Sequence, residues 1–130
     1  MTLDTEFAIL AGQIAEQHTQ IFPKATISTQ MVKLSEEMKE FLAATTIIDR
    51  ENEGGDVLYV IISLLRFPSI KAVTDFLLYN FFYSKNPVTK KNLIRILKLT
   101  MKKVADRNEK GAYYWSNGCY KRNKKLSGVK

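Results

Sequence analysis

Apolar side chains recur along most of this chain at the three- and four-residue spacing of helices with one buried face. Phe7, Ile9, Leu10 and Ile14 predict a first amphipathic helix over about 3–20, closed by Ile21-Phe22-Pro23. A second is expected from about 28 to 44, with Ser28 as its N-cap and Met31, Leu34, Met38, Phe41 and Leu42 as its apolar stripe. A third is expected over 50–66, capped by Asp49, and its stretch from Val57 to Leu65 is apolar on all sides. Such a helix is buried all round, within a core or between subunits. Pro68 to Tyr83 reads as a fourth, aromatic-rich segment ended by Asn86-Pro87, and Val88 to Arg107 as a fifth helix. Past Gly111 the periodicity fades through Tyr113-Tyr114-Trp115 into a lysine-rich end, which predicts a loose tail. No internal repeat and no strand pair stands out. The expected fold class is all-α, with about five helices, residues 1–110 as the domain and 111–130 as a basic C-terminal tail.

A chain of 130 residues suits one core, and 45% hydrophobic with 25% charged residues is a globular rather than a disordered composition. The single cysteine, Cys119, cannot form an internal disulfide and is expected to be incidental, so a reducing, cytoplasmic setting is expected. With early acids (Asp4, Glu6) and no basic segment no signal peptide is expected, and the apolar run is too short to span a bilayer, so no membrane partner is expected. Charge changes the picture more. Residues 1–84 carry 6 basic and 11 acidic side chains, a net of −5, whereas residues 85–130 carry 14 basic and 2 acidic, a net of +12. That asymmetry suggests an acidic, cation-binding part and a basic, anion-binding part.

The acids fall in two clusters, Glu36-Glu37-Met38-Lys39-Glu40 and Glu53-Gly54-Gly55-Asp56, with twelve residues between Glu40 and Glu53. At 100° per residue, Glu37 and Glu40 lie about 60° apart on their helix, and Lys33 projects between them. Glu53 and Asp56 share the same spacing at the start of the next helix. The connection from Ala44 to Arg50 is short enough for an antiparallel helical hairpin, which would bring all four carboxylates together. Like charges that close raise one another's pKa unless a cation intervenes, and a hard divalent ion such as magnesium takes oxygen ligands of this type. Singly, each cluster is an ordinary solvated or dipole-matched helix segment; the combination carries the inference.

Glu-Glu-x-x-Glu, twelve residues, then Glu-x-x-Asp resembles the signature of the all-α nucleoside triphosphate pyrophosphohydrolases, the superfamily of MazG, the dimeric dUTPases, the dCTP pyrophosphatases and the phosphoribosyl-ATP pyrophosphohydrolases. Lys33-Leu34 and Gly55-Asp56-Val57-Leu58 resemble its flanking segments, and the likeness runs from Gln30 to Arg66, about a quarter of the chain. The resemblance implies a MazG-like helical bundle and a homo-oligomer, dimer or tetramer. It implies Glu37, Glu40, Glu53 and Asp56 as magnesium ligands. Glu36 would bind a second ion or orient the attacking water, and Glu36 and Glu37 are the expected catalytic acids. Lys33 would touch substrate phosphate or pair with the carboxylates. The implied activity is cleavage of a nucleoside triphosphate between its α and β phosphates. Lys103, Asn108, Lys110 and Tyr113 resemble the family's basic ending and are the expected phosphate and base contacts. The chain departs from the pattern at Asn52, where an acid is usual, at Gly54, where a bulkier residue is usual, and in its longer stretch from Phe67 to Lys98.

His18 reads as a helix-end side chain, the run Phe76 to Tyr83 as core or oligomer interface, and Trp115 with Tyr113 and Tyr114 as either packing or a base-stacking group. No Gly-rich phosphate loop, Cys/His zinc pattern or Ser-His-Asp set is visible. The competing function is a non-enzymatic helical module that binds nucleic acid through the basic C-terminal half. Phosphoribosyl-ATP hydrolysis ranks third, since the additional aromatic and basic helices are not expected of it.

Overall fold

Thr2, Thr26, Thr46 and Thr89 each accept a hydrogen bond from the amide three residues on, and each opens a helix. A β-hydroxyl in that position satisfies one of the donors a helix start leaves unpaired. The computed structural model describes residues 1–84 and 88–126. Its helices are α1 (Leu3–Ile21), α2 (Ile27–Ala43), α3 (Ile47–Ser63), α4 (Lys71–Leu78) and α5 (Lys90–Glu109). Two short 3₁₀ turns, Leu64–Arg66 and Pro68–Ile70, link α3 to α4, and a π-helical turn, Tyr79–Tyr83, continues α4. The five helices dominate the chain, as the periodicity predicts. The expected break at Asn86-Pro87 lies outside the described residues.

Two caps differ from expectation. Thr26, not Ser28, caps α2, through a capping box with Thr29. Thr46, not Asp49, caps α3, which starts earlier than 50 and ends at Ser63. The connection between α2 and α3 is therefore only residues 44–46.

The C-terminal segment also differs. Instead of a loose tail, β1 (Tyr113–Ser116) and β2 (Cys119–Arg122) form an antiparallel hairpin. Asn117 and Gly118 make its turn with φ of 53° and 80°, the left-handed conformations that a two-residue hairpin turn needs and that Asn-Gly adopts at least cost. Tyr113 and Tyr120 stand edge-on to Phe22, at 4.7 and 5.1 Å between ring centroids, and the backbone amide of Lys24 donates to the Tyr120 hydroxyl. The hairpin is thereby seated on the turn between α1 and α2.

α3 is the central helix. Val57 through Leu64 are all buried, covered by α1, α2, α4 and α5 of the same chain. Burial of this apolar helix, for which a second subunit was one expected solution, is met within the chain. Around it lie Phe7, Leu10, Ala11 and Ile14 of α1 and Leu93, Ile94 and Leu97 of α5. Buried polar groups are paired across elements: Gln30 Nε2 donates to Ser63 Oγ at 2.8 Å, and the Tyr59 hydroxyl donates to Gln17 Oε1 at 2.6 Å while Gln17 Nε2 donates to the Met101 carbonyl. His18 is buried at the end of α1 with Nδ1 3.0 Å from Arg66, whose guanidinium also donates to the Phe22 carbonyl. Burial and the Arg66 charge push its pKa down to about 4, so it is a neutral structural joint.

Backbone approach fixes α5 against α3. A β-carbon at Gly55 would fall 2.3 Å from Ile96 Cγ2, and one at Gly54 would fall 3.3 Å from Phe41 Cε1. At Gly55 only hydrogen lets Ile96 of α5 press onto the α3 backbone, and at Gly54 the Phe41 ring of α2 would have to give by a few tenths of an ångström. The residues on either side of the pair are Glu53 and Asp56.

Among the described residues no single helix is long and apolar enough to cross a membrane.

Candidate metal and phosphate site

The antiparallel register of α2 and α3 assembles the acids. Gln30 meets Ser63 at one end of the pair, and Phe41 meets the backbone of Gly54 near the other. The same register sets Glu37 opposite Asp56 and Glu40 opposite Glu53. Glu37, Glu40 and Glu53 each bring one carboxylate oxygen within 4.8 Å of the others. Asp56 does not join that closest group. It is drawn toward α5, with its carboxylate 3.8 Å from Lys103 Nζ. The expectation of four converging acids is therefore met by three, with the fourth adjoining them and bound up with a cation.

The cluster's electrostatics are those of carboxylates short of positive charge. Burial, then the charge of Asp56, pushes Glu37 up to about 7, with Glu40 and Glu53 adding to the rise and Lys33 opposing it. Lys33 Nζ is 3.7 Å from Glu37 and mostly solvated, so it answers that charge only in part. Burial also raises Glu53, helped by the charges of Asp56 and Glu40 and by a hydrogen bond with Glu40. Asp56 is raised by burial while Lys103, Lys33 and Arg107 hold it down. Oε2 of Glu37 and Oε2 of Glu53 are buried without a hydrogen-bond partner. Buried oxygens in that state are costly. A hard cation seated among them would satisfy both, so the donor set, all carboxylate oxygen, fits magnesium or a similar ion.

Next to the acids α5 supplies the opposite charge. Leu99, Lys102, Lys103, Asp106, Arg107 and Lys110 line an open groove of about 240 Å³. Lys103 and Arg107 are one turn apart and both act on Asp56. Of the expected substrate contacts, Lys103 and Lys110 line this groove, and Lys33 pairs with Glu37 rather than standing free for phosphate. Asn108 is exposed and does not line it. Tyr113 is half-buried, its ring packed on Phe22 and its hydroxyl hydrogen-bonded by Arg107, which makes it a support for Arg107. Glu36 is exposed on α2 and is not one of the converging carboxylates. Arg107 is the residue that sequence reasoning passed over. Its signal was the four-residue spacing from Lys103, which puts both on one face of α5.

A pH dependence follows. Glu37 with a folded-state pKa near 7, against about 4.5 unfolded, binds its proton more tightly in the folded protein. That contribution to stability is full below about pH 4.5 and lost as pH rises through 7, about 2–3 kcal/mol in all. Neutral His18 acts in the opposite sense between about 4 and 6.5, so the two offset each other in acid and the carboxylate effect stands alone above pH 6.5. Ligation requires the ionised carboxylates. Magnesium is therefore expected to raise the melting temperature more at pH 8 than at pH 5.5. An equal rise at both pH values, or none at 8, contradicts the site.

Compared with protein-family models, with curated proteins and with solved structures, the chain has no match in any of the three.

Proposed function

We propose that this chain is a magnesium-dependent nucleoside triphosphate pyrophosphohydrolase, releasing a nucleoside monophosphate and pyrophosphate. The observation that carries the reading is the meeting of Glu37, Glu40 and Glu53, two of them with buried unpartnered oxygens, beside a groove lined by Lys102, Lys103, Arg107 and Lys110. Carboxylates short of positive charge, next to a groove whose four basic side chains outnumber its one acid, Asp106, suit a metal-bound polyphosphate better than either ligand alone. The choice of the α–β bond comes from the resemblance of the acidic motif. Magnesium, when bound, would supply charge neutralisation at the phosphates and a more acidic bound water. The chain's own residues would do the rest. Glu37, Glu40 and Glu53 hold the ion, with Asp56 as the fourth acid. Lys103 and Arg107 bind phosphate oxygens, and Tyr113 orients Arg107. Glu36, exposed nearby in sequence, is the candidate to orient water.

A panel of nucleoside triphosphates assayed for pyrophosphate, with and without magnesium, tests the reading. Magnesium-dependent pyrophosphate release from at least one of them is expected. Release of orthophosphate alone, or no hydrolysis of any, counts against it.

Self-association belongs to the same proposal. Leu42, Ile47, Ile48, Phe76 and Tyr79 are each more than 60% exposed, and a subunit interface would cover large apolar side chains of this kind. Light scattering at micromolar concentration is expected to give at least a dimer mass. A monomer mass would refute it.

A further inference from the structure

We propose that the outer face of the C-terminal hairpin binds single-stranded nucleic acid. Between Lys110 and Leu126 the charged residues are Lys110, Lys121, Arg122, Lys124 and Lys125, and there is no acid. On α5, by comparison, Arg95 is 3.6 Å from Glu51, Lys98 2.6 Å from Glu6, Lys102 3.2 Å from Asp106 and Lys103 3.8 Å from Asp56. Four cations within residues 121–125 and no acid in the segment give the hairpin a local excess of positive charge, which complements a polyanion.

The hairpin adds an aromatic platform to that charge. Side chains alternate across a strand. Tyr113 and Tyr120 face inward onto Phe22, so Tyr114 and its cross-strand partner Lys121 face outward together. Tyr114 is 49% exposed. On the inward face Lys24 Nζ stands 5.6 Å from the Trp115 ring, which leaves Tyr114 and Lys121 as the outer pair. An exposed ring beside an amine, on a ribbon whose register the Asn117-Gly118 turn holds, is the arrangement that stacks an unpaired base and contacts the phosphate next to it. A duplex keeps its bases stacked out of reach of one such ring, so the single strand is the form selected.

The test is fluorescence anisotropy of a fluorescein-labelled fifteen-residue oligothymidylate with the full chain. About three phosphate contacts predict a salt slope near −2, hence roughly fifteen-fold weaker binding at 200 mM than at 50 mM salt. The double variant Lys121→Ala, Lys125→Ala should flatten that slope by about 1.4. Tyr114→Ala should weaken binding about tenfold with the slope unchanged, and Tyr114→Phe should restore it. The proposal is overturned by absent binding at micromolar protein and 50 mM salt, by duplex binding as tight as the single strand, or by a Tyr114→Ala variant that binds like the parent. Displacement of the oligomer by an equal concentration of free nucleoside triphosphate would also overturn it, since one nucleotide would then suffice. Tyr114→Ala should leave pyrophosphate release unaltered, so failure here and failure of the hydrolase reading are separate results.

Discussion

Glu37→Gln should remove magnesium-dependent pyrophosphate release, with turnover falling about a thousandfold or more, while making the metal-free protein more stable at pH 8. Both effects come from one carboxylate. On the proposed function, loss of one of the three converging acids would remove the ion's hold on the substrate phosphates. The same change deletes a half-buried charge with an unpartnered oxygen, flanked by Glu40, Glu53 and Asp56, and neutralising it relieves about 2 kcal/mol of desolvation and repulsion. Activity and melting temperature, measured in magnesium and in chelator, read the two effects. Lys103→Ala supplies the contrast, with a raised Michaelis constant and smaller loss of turnover, since it sits at the groove and not among the three converging acids. A Glu37→Gln protein that turns over normally, or that melts lower than the parent at pH 8 in chelator, would remove the cluster from the chemistry.

Gly55→Ala is expected to be the most damaging small substitution in the core. The new methyl would sit 2.3 Å from Ile96 Cγ2, a separation no pair of non-bonded carbons tolerates, and Ile96 is itself buried. α3 and α5 must move apart or Ile96 must leave its rotamer, at a cost of about 3 kcal/mol. For a chain of this size that corresponds to a fall in melting temperature on the order of 10 °C. Ile96→Ala in the same chain opens the space again, and the double variant should recover part of the loss. If Gly55→Ala melts within a degree or two of the parent, the close approach of the two helices is not as described. The substitution also tests placement of the site, because the α3 residue that follows Gly55 is Asp56 and its partner is Lys103 of α5.

Much of this arrangement was legible in the chain because it rests on short-range regularities. The i, i+3 spacing of Glu37 with Glu40 and of Glu53 with Asp56, and the brief link between two helical patterns, suffice to place the acids face to face. What could not be read there is the pull of a distant element. Asp56 lies outside the closest group and 3.8 Å from Lys103 of α5, and no local pattern records that approach. Apolar periodicity overstated the core stripe in the same way: Ile9, Met31 and Leu42 are in phase with their neighbours yet exposed, since the packed helices cover a narrower stripe than the pattern offers. Threonine caps were passed over in favour of Ser28 and Asp49, residues equally suited to capping but already inside the first turn. The hairpin was the avoidable omission. Asn117-Gly118 between the aromatic run Tyr113-Tyr114-Trp115 and Tyr120 is a strong local turn signal, masked by the lysines that follow.

The three-residue link between α2 and α3 has a consequence for how the protein folds. Every acid of the cluster lies between Glu37 and Asp56, so closing that one short loop is enough to bring them together. Loop closure over so few residues is fast and entropically cheap compared with docking α5 or the terminal hairpin. If the α2–α3 pair closes first, the mutual repulsion of the carboxylates would be incurred before Lys103 or Arg107 has docked. Protons or divalent ions present during synthesis or refolding would act at that moment, on the nascent pair of helices, and the cation would serve the assembly of the molecule ahead of any turnover.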